Sequence, residues 1–268
     1  MTSELFAGAA HCLLLDDAAS KCEAVALLAE EVKSGRCAVD FSTPVPAIAQ
    51  PGRPALPALV EPSGVPRRRL GTPAGRAALV HAIAHIEFNA INLALDAACR
   101  FRDMPQAYYT EWVSVAADEA RHFGLLRSRL AELGSAYGDF PAHNGLWEMA
   151  ELTADSCLAR MALVPRVLEA RGLDVTPGMI ERLHQVGDLA TIAALEVILR
   201  EEVGHVAIGT RWFNFCCERE GKDPLPTFLE LLKTRYSGTV RGPFNRVARL
   251  AAGFSPAEMD ALAVACNG

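Results

Sequence analysis

The chain is poor in aromatic residues, at 7% of 268, and contains no Cys-x-x-Cys pair. The missing pair argues against a zinc ribbon or a rubredoxin-type iron site. No run approaches the ~18 uninterrupted apolar residues that a membrane span needs, so no membrane is expected. Met1-Thr2-Ser3-Glu4 lacks a basic n-region, and the apolar stretch after it is broken by His11 and stops at Asp16-Asp17, so no signal peptide is expected. Basic charge is also in deficit. The net charge of −6 argues against a general nucleic-acid binder. No flavin or nicotinamide fingerprint is visible.

What is present suits a helical protein with a sizeable core. Hydrophobic residues make up 51% of the chain. The cysteines at 12, 22, 37, 99, 157, 216, 217 and 266 are scattered, and the expectation is reduced core thiols in the cytoplasm. The vicinal pair Cys216-Cys217 has two readings, packing or redox activity, with packing favoured.

The pattern of breakers divides the chain. An amphipathic helix is expected over 18–34. Residues 44–73 hold eight prolines and the run Arg67-Arg68-Arg69. Such a density excludes helix and predicts an extended segment wrapped over the rest. The arginines read as a solvated stretch, or as a contact for an anion or a partner. Thr72-Pro73 offers a cap and first-turn proline for a helix to about Arg102. A second helix is expected from about 105 to 133 and a third over 145–171. Gly172 to Gly178 interrupts the third before helix resumes at 179–186. A fourth helix, capped at Gly187-Asp188, runs to about Glu220. Shorter helices follow at about 225–236 and 256–265, the latter opened by the capping-box pattern Ser255-Pro256-Ala257-Glu258. Nothing reads as a strand. Segments 75–133 and 145–220 look like a duplication.

Within that duplication lie two Glu-x-x-His units. The first is Glu119 and His122, preceded by Asp118, with Glu87 32 residues upstream of Glu119. The second is Glu202 and His205, preceded by Glu201, with Glu169 33 residues upstream of Glu202. Residues three apart on a helix lie about 60° apart in projection, so each Glu and His share a face. Four carboxylates and two imidazoles in this order are the ligand set of a carboxylate-bridged dimetal site in a four-helix bundle. Mixed oxygen and imidazole ligation suits iron, with manganese as the alternative. Glu87 and Glu119 stand at similar distances from the turn near Met104, as Glu169 and Glu202 do from Gly187. Each pair would therefore meet at similar height in an antiparallel hairpin. With 20 glutamates and seven histidines, chance gives about half a Glu-x-x-His per chain, so one is weak and two in matching contexts are stronger. A third, Glu181 and His184 with Glu148, fits the heights poorly.

Other residues acquire roles around this set. Metal-bound imidazole usually donates its second N–H to a carboxylate, and Asp118 and Glu201 are placed to accept it, with Arg121 holding one of them. Solvent-facing helix charges are the other reading. Tyr108, Trp112 and Trp212 read as core, or as the lining of a substrate pocket. Arg241 and Asn245, in Arg241-Gly242-Pro243-Phe244-Asn245-Arg246, read equally as a turn or as a cover over the site. His81 and His85 project away from Glu87 and read as polar core or partner contacts.

The stretches Ala84-His85-Ile86-Glu87, Asp118 to Phe123, Leu168 to Asp174, Glu202 to Gly209 and Gly242-Pro243-Phe244-Asn245 resemble a bacterial ferritin-like family catalogued as domain of unknown function 455. The resemblance covers about 10 to 255. It implies a ferritin-like bundle with a dimetal centre. The first unit also resembles that of bacterial di-iron monooxygenases and acyl carrier desaturases, whereas the second departs from theirs, with Gly204 where Arg is usual. A tRNA-modifying hydroxylase of the ferritin-like class has a similar ligand order, too general a likeness to carry its substrate across.

The expectation is thus an all-α, ferritin-like four-helix bundle as one domain over 1–268. Residues 1–74 would form an N-terminal helix and the Pro-rich segment, 75–220 the core, and 221–268 extra helices. It would hold two metal ions and act as a di-iron oxidoreductase on a small organic substrate, with an external electron donor. Iron or peroxide handling and a non-catalytic metal scaffold are the alternatives.

Overall fold

The computed structural model describes residues 3–65, 69–238 and 240–265. These residues are almost entirely helical. The only strands among them, Ser3–Glu4 (β1) and Cys37–Ala38 (β2), form a two-residue parallel pair, with one isolated bridge between Leu59 and Ala142. The chain divides into two compact units, residues 1–148 and 149–268.

The first unit is built on α3 (Pro73–Arg100) and α4 (Gln106–Glu132), which form a hairpin and pack more extensively on each other than any other helices do. Thr72 caps α3, its hydroxyl accepting the Gly75 N–H at 3.1 Å, and Pro73 occupies the first turn, where a missing N–H costs nothing. By length and composition α3 could cross a membrane, but 83% of its most apolar window is buried within the protein, as a core helix requires. Helix α1 (Leu5–Leu14) packs on α3, and α2 (Ala18–Lys33) on α4. The sequence pattern missed α1. His11, which looked like a break, lies on its exposed side, and Leu5, Phe6, Ala9, Cys12 and Leu13 face inward.

The Pro-rich segment forms no helix beyond one 3-10 turn, Pro62–Gly64. It is tied down by donors from the hairpin. Arg102 donates to the carbonyls of Phe41 and Thr43, Arg100 to that of Ile48 and Trp147 to that of Ala49. Gly52 donates its N–H to the Leu13 carbonyl, and any Cβ there would overlap the Leu14 and Leu15 carbonyls, so only glycine permits this approach. Of the arginine run, Arg67 and Arg68 lie outside the described residues, and the Arg69 carbonyl accepts from Thr72.

The expected third helix over 145–171 is not continuous. Helix α5 (Gly145–Leu152) stops early, and a new helix α6 (Cys157–Leu163) starts at the cap Ser156. A π turn, Val164–Glu169, follows, and α7 (Ala170–His184) then runs unbroken through the glycines and Pro177. Pro177 removes the N–H that would have bonded the Leu173 carbonyl. Asn245 supplies the missing donor, its Nδ2 lying 3.2 Å from that oxygen. The Asn245 N–H bonds Asp174 Oδ1 at 2.9 Å, and Arg249 grips both Asp174 oxygens at 2.9 and 2.7 Å. Asp188 caps α8 (Leu189–Arg219), which returns along α6 and α7. Helices α9 (Pro224–Arg235), α10 (Arg246–Ala251) and α11 (Pro256–Ala265) complete the unit, one more than expected. Ser255 and Glu258 make the reciprocal bonds of a capping box. None of the seven described cysteines forms a disulfide, and Cys266 lies outside the described residues.

Two buried ions test these packing arguments. Lys21 of α2 is fully buried, its Nζ bonded to the Leu13 carbonyl at 2.8 Å and to Asn92 Oδ1 at 2.7 Å. Burial pushes its pKa down to about 7. Between pH 7 and the ordinary lysine value near 10.4 the unfolded chain binds the extra proton, so this group makes stability rise with pH there. The rise should approach about 1.4 kcal/mol per pH unit mid-window and vanish in Lys21→Met. Parallel urea-denaturation curves for the two proteins check this, since their difference cancels the slopes of all other groups, and a difference flat over that range would show that Lys21 stays charged in the fold. In the second unit, Asp174→Ala strands the 2%-exposed guanidinium of Arg249. It should lower the unfolding free energy by about 3–5 kcal/mol. A loss below about 1 kcal/mol would assign Arg249 an adequate alternative partner.

Candidate metal centre

In the first unit the α3–α4 hairpin brings together residues 35 positions apart. Glu87 of α3 is 4% exposed, and Glu119 and His122 of α4 are fully enclosed. His122 Nδ1 lies 3.4 Å from an oxygen of each carboxylate. Each residue offers one ligand atom, and these atoms lie within 4.8 Å of one another. Burial pulls the His122 pKa down, but hydrogen bonds and charge from Glu119 and Glu87 outweigh it and hold the imidazole up at about 10. The two neighbouring carboxylates thus favour the protonated ring.

The second unit carries a related arrangement. Glu202 and His205 are both buried on α8, with His205 Nδ1 3.3 Å from Glu202 Oε1. Glu169 is half-buried and is the last residue of the π turn. Gly204 faces open space, so nothing steric demands glycine there. The competing pair, Glu181 and His184, lies exposed near the end of α7 and is no buried site.

The supporting residues fall into three groups. Arg121 Nη2 pairs with Asp118 Oδ1 at 2.8 Å, both side chains nearly half exposed, and Glu201 lies 3.7 Å from Arg200. Tyr108, Trp112 and Trp212 are core residues. Tyr108 packs edge-on to Tyr109 and Trp112, and Trp212 edge-on to Phe215. Arg241 accepts a backbone bond from Arg171, and Asn245 caps α10 while bonding α7, so this segment is a turn seated on α7.

His81 and His85 serve the loop after α4. His85 contacts Tyr137 Oη at 2.9 Å and the His143 carbonyl at 3.1 Å, and His81 Nε2 accepts the Gly138 N–H at 3.0 Å. Burial pushes His85 down to about 4, so it is neutral. Sequence reading singled out neither Asp174 nor the ion pair Arg166–Glu258 as anchors. A charged residue on an apolar face, such as Arg166, was the available signal.

Carboxylate oxygens and imidazole nitrogens together form a hard-to-borderline donor set, suited to divalent first-row metals rather than to thiolate-preferring ones. The buried acid–histidine cluster is compatible with a metal site on that ground.

Comparison with known proteins places the chain. Residues 14–260 match the family model described as protein of unknown function (DUF455). A Haemophilus influenzae protein described as uncharacterized is 47% identical over 228 residues, covering 82% of this chain and 79% of that one. No solved structure matches. The match spans both units and every candidate ligand, and the chain belongs to the DUF455 family.

Proposed function

We propose that this protein is a dimetal-carboxylate oxidoreductase of ferritin-like architecture. The observation that carries the reading is the repeated burial of a Glu-x-x-His unit, once with Glu87 in the first unit and once in the second. Buried acids are rare unless paired or bound to metal. In this reading Glu87, Glu119 and His122 of the first unit and Glu169, Glu202 and His205 of the second are the metal ligands.

Two iron ions, or iron with manganese, would supply oxygen activation for hydroxylation or desaturation of an organic substrate. The chain's own residues hold and shield them. Glu119 and His122 share one helix face, so their spacing is set by α4 rather than by loops. Asp118 and Glu201 would accept the outward N–H of metal-bound imidazoles and fix their tautomers, with Arg121 paired to Asp118. Tyr108, Trp112 and Trp212 are buried on the helices that carry the candidate ligands and would help to exclude water there. Electrons come from an external donor.

The reading predicts about two metal ions per chain, by the ligand count for such sites. Elemental analysis of protein purified without added metal should find iron, or iron with manganese, and Glu119→Ala/His205→Ala should abolish it while leaving helix content intact. The loaded protein should consume oxygen when given a reductant. Absence of metal after anaerobic reconstitution would refute the site. Metal without oxygen uptake beyond that of free iron would refute the oxidoreductase assignment and leave metal handling or a structural metal.

A further inference from the structure

The π turn is the least expected element of the second unit, and it ends on Glu169. An i→i+5 turn holds about one residue more than an α turn, so tightening it would rotate the succeeding helix by about 100°. Its cause is local. Pro165 cannot donate to the preceding turn, and its ring would clash with the carbonyl four residues back in a regular helix. Such a turn persists only where its surroundings impose it, and two independent contacts do so.

The first contact is with α8. A Cβ at Gly209 would overlap Cβ and Cγ of Pro165, so the proline ring sits directly on the helix backbone. This contact fixes a register. Pro165 and Gly209 each stand 22 residues from Gly187 at the hairpin turn, and Glu169 and His205 each stand 18. Four residues toward the turn, about 6 Å along α8 and less along the wider π turn, therefore lead from the Pro165–Gly209 contact toward the level of Glu169 and His205. Glu87 and His122 stand in the same relation in the first unit, where their side chains meet.

The second contact is a buried charge. Arg166 is fully enclosed and pairs with Glu258 of α11. Its guanidinium lies 4.4, 4.3 and 4.5 Å from the rings of Phe213, Phe228 and Phe254. Its Nε and Nη1 make no hydrogen bond among the described residues. A buried ion pair with unused donors is a poor source of stability, and the best-attested reason to keep one is to fix a geometry. Glu258 is itself tied to α11 by its capping-box bonds.

We propose that the π turn is a positioning device, in which Gly209, Pro165 and the Arg166–Glu258 pair clamp Val164–Glu169 against α8 so that Glu169 stands beside His205 as a metal ligand. This inference rests on the dimetal reading above and goes beyond it by assigning positioning residues. None of the four is itself a ligand. They act through Glu169.

Cobalt(II) titration of the chelator-treated full chain, followed by visible absorption, tests the clamp without requiring activity. Gly209→Ala should keep its helix content yet bind cobalt about tenfold more weakly, the scale of losing outer support, with a changed visible spectrum. Glu169→Gln should change the spectrum likewise. The double variant should bind no more weakly than Glu169→Gln alone, since one ligand cannot be lost twice. Should Gly209→Ala fail to fold, Glu258→Gln, which retains an acceptor for Arg166, carries the same expectations. A folded clamp variant with wild-type affinity and spectrum, or losses that add in the double variant, would overturn the proposal. A wild-type chain that takes up no cobalt would instead refute the metal reading, and this inference with it.

Discussion

Glu119 has no contact with solvent, and Glu87 almost none, and both lie inside the α3–α4 hairpin. An isolated carboxylate in such a place would cost several kcal/mol. His122 offsets part of that cost by standing 3.4 Å from each acid and holding a proton well above its ordinary range. The first unit is organised around keeping this triad fixed. Two long helices carry the three residues, α1 and α2 pack on α3 and α4, and the Pro-rich strap is pinned by Arg100 of α3 and Arg102 just beyond it. The same buried acids and imidazole are compatible with a metal cation.

The hairpins were legible in the sequence because their signals are local. Thr72-Pro73, the Met104 turn, Asp188 and Ser255-Glu258 act within one helical turn, and each appears where the pattern placed it. The candidate ligands were legible for the same reason, since Glu-x-x-His spacing is a property of one helix. The π turn was not legible. Pro165 marks an irregularity, but its outcome depends on Gly209, 44 residues away. Nor was the continuity of α7. Gly172, Pro177 and Gly178 spell an interruption by every local rule, and only Asn245, 68 residues beyond Pro177, restores the missing donor.

That repair gives a physical content to two stretches that looked related only by resemblance. Leu168 to Asp174 and Gly242 to Asn245 meet in the folded unit, where Asp174 accepts from the Asn245 backbone and from Arg249, and Leu173 accepts from the Asn245 side chain. The turn at 242–245 therefore supports α7 rather than serving as a free flap. Arg241 contributes its carbonyl to the same seat.

The two Glu-x-x-His units are alike in spacing and unlike in support. In the first, both helices of the hairpin are regular through the ligands, and the histidine touches both acids. In the second, one acid ends a π turn whose position is set by a proline–glycine contact and a buried ion pair. Packed elements of this kind tend to have discrete arrangements rather than continuous play. A regular hairpin resists displacement along its whole length. A π turn concentrates its adjustment in a few residues, and such turns are found frequently at functional sites. The acid and histidine of the first unit thus sit on two regular helices, whereas Glu169 ends a π turn held by contacts far along the chain.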